Sequence, residues 1–291
     1  MIGIVDSGST KTEWCFINES GEEKRILTCG LNPYFVNSDT MKECLEKEIY
    51  PFIDNRKVKQ LFFFGSGCAQ AEMRLILNNP LEDFFPCADI QVESDLLGAS
   101  LALCGTQAGL VAVLGTGSST CFFDGTQITE RLPSLGFVLG DEGSGARIGI
   151  SLLSDYLNER MPENLRKFFA LRYPISIPEI LNHIYKKESP NRFLGEFASF
   201  ATDYLSDPYI ENLLKGAFDS FFQKQVLRYP QVKEYPLYII GSTAYYGRRI
   251  IEEIASCYQI KIAKIEQSPM AGLLKYYQST LAESSPFTED M

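Results

Sequence analysis

The chain has 291 residues, 45% of them hydrophobic and 22% charged, with a formal net charge of −10. One core is near its useful limit at this length, so two domains are expected, each with enough apolar material to bury its own core. The acidic balance argues against a nucleic-acid or anionic-membrane surface.

In chain order, Ile2 to Val5, Glu13 to Asn18 and Glu23 to Thr28 read as three short strands joined by tight turns. Ser38 to Tyr50 reads as a helix with Ser38 or Asp39 as its cap. Gln60 to Phe64 is the apolar run of a central strand covered on both faces. A helix from about Ala69 to Leu77, a strand Asp89 to Glu93 and a helix from Ser94 to about Cys104 follow. After a break at Gly105 to Gly109, strands resume over Leu110 to Leu114, Ser119 to Phe123 and Thr126 to Arg131. From about Ser144 to Tyr229 the pattern is mostly helical, with helically spaced apolar residues in Ile148 to Leu157, Pro178 to Tyr185, Leu194 to Leu205 and Tyr209 to Leu227. A strand Leu237 to Ile240, a helix Tyr245 to Tyr258, a strand Ile260 to Ile265 and a helix Pro269 to Leu281 complete the pattern. The polar tail Glu283 to Met291 is expected to fray.

Both halves open in the same way, with a strand, a turn rich in Gly, Ser and Thr, and a returning strand. The first turn is Asp6-Ser7-Gly8-Ser9-Thr10-Lys11-Thr12, and the second is Leu114-Gly115-Thr116-Gly117-Ser118-Ser119-Thr120. This repeats a supersecondary pattern without repeating the sequence. Such turns present backbone N–H groups and hydroxyls suited to a polyphosphate, and two of them facing one nucleotide point to an ATP-using phosphotransferase. Each turn also reads as a plain hairpin. The chain has neither a G-x-x-x-x-G-K-[ST] nor a G-x-G-x-x-G element. Asp6 can hold the waters of a Mg²⁺ ion that bridges phosphates. Asp95, just past a sheet strand, suits either a general base for a substrate hydroxyl or a helix cap. Asp141 and Glu142, in Gly140-Asp141-Glu142-Gly143-Ser144, could hydrogen-bond sugar hydroxyls or simply favour a helix start. Asn32 and Ser66 lie where loops gather above the sheet, and Gly241-Ser242 opens a helix whose N–H groups could meet adenosine or phosphate. His183, the only histidine, reads as structural.

Eight cysteines are scattered, mostly in apolar runs and never as C-x-x-C, so they read as reduced structural thiols, and their spacing gives no support to a zinc or iron–sulfur site. A signal-peptide pattern is absent, and no stretch approaches the roughly eighteen apolar residues of a membrane span, so a cytoplasmic protein is expected.

Asp6 to Thr10, Leu114 to Ser118 and Ile240 to Ser242 resemble the two phosphate loops and the adenosine loop of the actin, heat-shock-chaperone and sugar-kinase superfamily. Together with Gly30 to Asn32, Ser94-Asp95 and Gly140 to Ser144, they resemble the N-acetylglucosamine kinase family, in order from Ile2 to about Tyr277. The wider family includes ATPase activators of 2-hydroxyacyl-CoA dehydratases and kinases that accept N-acetylmuramic acid. The resemblance implies an α/β, two-lobed actin-like ATPase fold of the ribonuclease H-like kind, each lobe a mixed sheet flanked by helices. Residues 1–106, completed by the helix 269–283, would form one lobe and residues 107–268 the other. It implies Asp95 as the base for the sugar 6-hydroxyl, and Asn32, Ser66, Thr116 and Asp141 as sugar contacts. Gly8, Ser9, Thr10, Lys11, Gly117, Ser118, Gly241 and Ser242 would bind the nucleotide, and Asp6 would hold Mg²⁺ through water. A homodimer is the family's suggestion. Asn32 is followed by Pro33-Tyr34 where the animal enzymes carry His-Trp, and Ser268 to Leu273 replaces a more glycine-rich stretch that borders the nucleotide.

The expected activity is ATP-dependent 6-phosphorylation of an N-acetylated amino sugar, with N-acetylglucosamine placed first. Alternatives are an N-acetylmuramic acid kinase, a dehydratase-activating ATPase with a cysteine-held cluster, for which Cys68 in Ser66-Gly67-Cys68 is the one partial fit, and a non-catalytic sugar or nucleotide sensor.

Overall fold

The first strand, β1 (Ile2–Ser7), is the centre of a five-stranded sheet. The computed structural model describes residues 1–284, so most of the polar tail lies outside the described residues. With β2 (Lys11–Ile17), β3 (Glu23–Cys29), β4 (Gln60–Gly65) and β5 (Asp89–Ser94), the order is β3-β2-β1-β4-β5. The strands β1, β4 and β5 run parallel, and β2 pairs antiparallel with β1 and β3. The apolar β4 is buried on both faces, as its unbroken run requires. Val5, Trp14, Phe16, Leu61 and Phe63 on one face pack against Met41 of α1 (Ser38–Cys44) and Leu77 and Leu81 of α2 (Ala71–Phe84). The other face is lined by Ile4, Cys15, Phe62 and Phe64, with Leu97 and Leu101 of α3 (Asp95–Cys104) against them.

The second sheet repeats this plan. The strands β6 (Gly109–Leu114), β7 (Ser118–Phe123), β8 (Ile128–Arg131), β9 (Leu237–Ile240) and β10 (Ile262–Glu266) are ordered β10-β9-β6-β7-β8. Its opening strand is again central, with its antiparallel hairpin on one side and two parallel strands on the other. Between β8 and β9 run α4 (Gly136–Leu139), α5 (Gly145–Leu157), α6 (Glu163–Arg172), α7 (Ile177–Tyr185), α8 (Pro190–Glu196), α9 (Ala198–Asp203) and α10 (Pro208–Lys224). The short α11 (Ser242–Tyr246) and then α12 (Arg248–Cys257) follow β9. An aromatic core of Phe169, Phe197, Phe200, Phe218, Phe221 and Phe222 joins these helices to the sheet. The chain then returns to the first sheet as α13 (Met270–Ser284), burying Met270, Leu273 and Leu274 beside Ile4 and Phe62. The structure thus divides into two compact units, Met1–Gln107 with the chain from Ser268 onward, and Ala108–Gln267. No described helix is long and apolar enough to cross a membrane.

Several element ends differ from the sequence reading, each for a local reason. The first helix does not run unchanged from Ser38 to Tyr50. It turns into a π-helical stretch over Leu45–Ile49, closed by Tyr50 N donating to Leu45 O at 2.9 Å. The second helix does not stop at Leu77 but continues to Phe84 with Pro80 inside it. Proline removes the amide that would bond the carbonyl four residues back. That carbonyl belongs to Ile76, and the Ser38 hydroxyl donates to it instead at 3.2 Å. The helix expected over Leu194 to Leu205 breaks at Phe197, where short-range bonds from Phe197 N to Leu194 O and from Phe200 N to Phe197 O tighten the turn. The last strand starts at Ile262 rather than Ile260, because Ile260 N is spent on the carbonyl of Ala255 at the end of α12. Five of the eight cysteines are buried, and Cys29, Cys87 and Cys257 are exposed.

The Ser38 bond is testable. Ser38→Ala leaves the Ile76 carbonyl without its substitute donor, at an expected cost of about 1–3 kcal/mol. Trp14, the only tryptophan and fully buried in the first unit, reports it as a lower urea midpoint in fluorescence. An unchanged midpoint would show that water serves the carbonyl equally well.

Candidate functional site

In the first unit, Ser7 pairs with Gly65 and Gly65 pairs with Ser94 across the three parallel strands. These strands therefore end on one register row, and the residues that follow emerge along one sheet edge. In α/β sheets, ligands gather outside such carboxyl ends. The residues that emerge are Gly8 to Thr10, Ser66-Gly67 and Asp95.

The first turn is closed by Gly8 N donating to Lys11 O at 2.9 Å. The buried Ser7 hydroxyl pins it from below, bonding the Thr12 hydroxyl at 2.8 Å and accepting from Leu31 N at 3.2 Å. Gly30 N donates to Thr10 O at 3.1 Å, and a β-carbon on Gly30 would run into the Ser9 backbone. Only glycine therefore allows the segment after β3 to lie against the turn. That contact delivers Asn32, whose Nδ2 donates to Ser9 Oγ at 2.9 Å while its Oδ1 accepts from Tyr34 N at 3.0 Å. Ser66 N donates to Ser7 O at 2.8 Å, and Ser66 Oγ donates to Asp95 Oδ2 at 2.6 Å. Asn32, Ser9, Ser66 and Asp95 thus stand on one continuous hydrogen-bonded edge.

The two sequence readings of Asp95 separate here. Ser94 is the cap, its hydroxyl accepting from Leu97 N at 3.3 Å. Asp95 is the first helical residue, with Oδ1 accepting from Leu96 N at 2.9 Å and Oδ2 held by Ser66. Its carboxylate is oriented without being needed as the cap. Asp6 is partly buried at the end of β1. Burial first, then the charges of Asp95 and Glu13, push its pKa from the usual 3.8 up to about 7, with Lys11 opposing. A divalent cation is the natural relief for such crowded carboxylates, so the donor set fits Mg²⁺.

In the second unit, the turn between β6 and β7 is closed by Gly115 N donating to Gly117 O at 3.0 Å. Its carbonyls dock on the start of α5, Gly115 O accepting from Gly145 N at 2.8 Å and Thr116 O from Ala146 N at 3.1 Å. Thr243 Oγ1 also donates to Gly115 O, at 3.2 Å. Gly241 stands against the same turn at φ 122°, and a β-carbon there would strike the Leu114 carbonyl. Asp141 is buried in a left-handed conformation, φ 55°, and its Oδ1 accepts from Ser118 N at 3.2 Å. Burial raises the Asp141 pKa against the pull of the Ser118 amide. Beside it, burial pushes Glu142 up, but hydrogen bonds and the Lys224 charge outweigh it and leave the carboxyl below its ordinary range. Lys224 lies 3.3 Å from one Glu142 oxygen, and Gln225 Nε2 bridges the other oxygen and Ser118 Oγ.

The structure brings Asp6, Gly8, Ser9, Thr10, Lys11, Asn32, Ser66 and Asp95 together in the first unit, and Thr116, Gly117, Ser118, Asp141, Gly241 and Ser242 in the second. Sequence reasoning missed Ser7, Thr243 and Gln225. Ser7 lay inside a quoted motif, but Gln225, at the end of α10, carries no local signal. Cys68 is fully buried behind Gly65, which takes away the exposed glycine–cysteine turn that a cysteine-held cluster would use.

No family model and no curated protein sequence matches the chain. Among solved structures, a provisionally assigned N-acetylglucosamine kinase from Porphyromonas gingivalis is 37% identical, covers 97% of this chain and 100% of its own, and superposes with a TM-score of 0.91. A second protein with the same provisional assignment, from Chromobacterium violaceum, is 17% identical over 94% of this chain and 98% of its own, at a TM-score of 0.67. A ROK-family glucokinase from Streptomyces griseus, solved with glucose and AMPPNP, is 13% identical over 94% and 97%, at 0.58. The latter two show the shared fold, two mixed five-stranded sheets flanked by helices.

The crowding of Asp6 has a measurable consequence. The folded protein holds the Asp6 proton up to about pH 7, whereas the unfolded chain releases it near 3.8, so stability is expected to fall as pH rises through that window. Asp6→Asn removes this loss. In Mg²⁺-free buffer, the variant's stability relative to wild type should rise between about pH 5 and about pH 8, by an amount on the order of 1 to a few kcal/mol. Parallel urea-midpoint curves for the two proteins would contradict this.

Proposed function

This chain belongs to the N-acetylglucosamine kinase family of actin-like sugar kinases, and from that premise we propose that it transfers the terminal phosphoryl group of ATP to the 6-hydroxyl of an N-acetylated amino sugar, N-acetylglucosamine first. The chain is a sugar kinase; the choice of sugar and the residue roles are our reading. The observation that carries it is the oriented carboxylate of Asp95, fixed by Ser66 Oγ and Leu96 N on the edge that also presents the first glycine turn.

In this reading Asp95 accepts the proton of the attacking hydroxyl. Phosphoryl transfer asks little covalent chemistry of a protein, so positioning and charge neutralisation carry most of the rate. Asn32 and Ser66 orient the sugar in the first unit, and Thr116 and Asp141 in the second. The backbone and hydroxyls of Gly8, Ser9 and Thr10, with Lys11, take one part of the nucleotide. Gly117, Ser118, Gly241 and Ser242 take another. Asp6 would hold Mg²⁺ through water, and the ion, when bound, neutralises phosphate charge. The bond from Asn32 to Ser9 links the proposed sugar and phosphate positions inside one unit.

The test is ADP release with a panel of amino sugars and Mg²⁺–ATP. N-acetylglucosamine is expected to give the highest kcat/KM, and a preference for N-acetylmuramic acid would replace the substrate while keeping the chemistry. Asp95→Asn should bind sugar normally and lose about 10²–10⁴-fold in kcat. Turnover within a few-fold of wild type would remove Asp95 from the mechanism.

A further inference from the structure

The second feature with chemical potential uses none of the residues assigned above, although Cys29 stands opposite Lys11 across the sheet. Cys29 is the last residue of β3, an edge strand of the first sheet. Cys44 is the last residue of α1, and Glu48 falls in the π-helical turn that follows. The two sulfur atoms and a Glu48 carboxylate oxygen all lie within 4.8 Å of one another. Among the described residues, no other group of three or more His, Cys, Asp or Glu side chains converges in this way.

Three observations make this more than proximity. Cys44 and Glu48 are four positions apart, which in a helix places them on one face. The helix widens to a π turn at this point, a rare distortion that is frequent at functional sites. The cluster is also graded in exposure: Cys44 is buried, Glu48 partly so, and Cys29 is open to solvent. It therefore has a floor and an entrance. Both cysteines are free thiols. Beside the cluster, the Thr28 hydroxyl accepts from Trp14 Nε1 at 3.0 Å and donates to the Cys29 carbonyl at 3.3 Å.

We propose that Cys29, Cys44 and Glu48 bind a thiophilic divalent cation of the zinc class. Two sulfurs and one carboxylate oxygen make a donor set for Zn²⁺ or Cd²⁺ and not for Mg²⁺ or Ca²⁺, which take oxygen ligands. Tetrahedral zinc, with Zn–S near 2.3 Å, separates two sulfurs by roughly 3.8 Å, so the cluster needs only side-chain adjustment to close on it. Binding releases both thiol protons to solvent, leaves two thiolates and one carboxylate on the ion, and gives the fourth position to water. The bound ion ties the free end of β3 to α1, three residues before Asn32, as a clamp on the segment that carries that side chain.

The experiment uses the full chain with Cys87→Ser and Cys257→Ser, which removes the other exposed thiols, kept reduced by a phosphine. Cd²⁺ is titrated while thiolate-to-metal ultraviolet absorption is followed, and Zn²⁺ and Mg²⁺ are then tested as competitors. One equivalent should saturate a band of two-thiolate amplitude, displaced by Zn²⁺ and untouched by excess Mg²⁺. Cys29→Ser, at an exposed position, should halve the amplitude and weaken binding by at least ~10-fold, a floor set by what outer-shell partners alone cost. Glu48→Gln should keep the amplitude and weaken binding. Zn²⁺ should also raise the melting temperature of the parent and not that of Cys29→Ser. No band at one equivalent, or a titration unchanged by Cys29→Ser, would overturn the proposal.

Discussion

The arrangement of the first unit depends on one constraint of register. Ser7, Gly65 and Ser94 end three parallel strands on the same row. Side-chain direction alternates along a strand, so a slip of one residue would exchange the faces of a strand that is buried on both sides. The packing of Phe62 and Phe64 on one face and Leu61 and Phe63 on the other therefore fixes where each strand stops. The loops inherit their positions from that packing. Ser7 then converts register into loop shape, because its buried hydroxyl bonds both Thr12 and Leu31 and so joins the first turn to the segment after β3.

The second unit reaches a related result by other means. Its opening turn is held less by hydroxyls than by the start of a helix, with Gly145 and Ala146 amides spent on Gly115 and Thr116 carbonyls. Asp141 closes over it in a left-handed conformation that ordinary residues adopt at a cost. Strain of this kind persists where surrounding bonds over-determine the backbone, and here Ser118 N supplies one of them. The two units share strand order but not the local devices that hold their turns. This is why the sequence shows a repeated pattern and not a repeated sequence.

Much of this was legible in the residues, and the limits have physical reasons. Glycine turns between apolar strands announce themselves because turn chemistry is local. The strands were therefore placed to within a few residues, and the glycines of both turns lie between the strands they join. Helix ends were less legible. The second helix runs past Leu77 through Pro80, whose missing amide is replaced by Ser38, in another helix. Asp95 suited both a base and a cap in the sequence, and the structure gives the capping to Ser94. The bonds of Gln225 to Ser118 and Glu142 span 107 and 83 positions, and nothing near Gln225 in the sequence announces them. Charge was informative in sign only. A net −10 chain places carboxylates everywhere, and which of them are crowded, like Asp6, follows from burial that only packing defines.

The central claim is that the edge bearing Asp95 and the first glycine turn directs phosphoryl transfer to a primary sugar alcohol. The most direct measurement is the position of the phosphate in the product. After incubation with N-acetylglucosamine and Mg²⁺–ATP, phosphorus-coupled NMR of the isolated sugar should show the phosphate on the 6-oxygen. Phosphate on the anomeric oxygen, or inorganic phosphate with unmodified sugar, would contradict it.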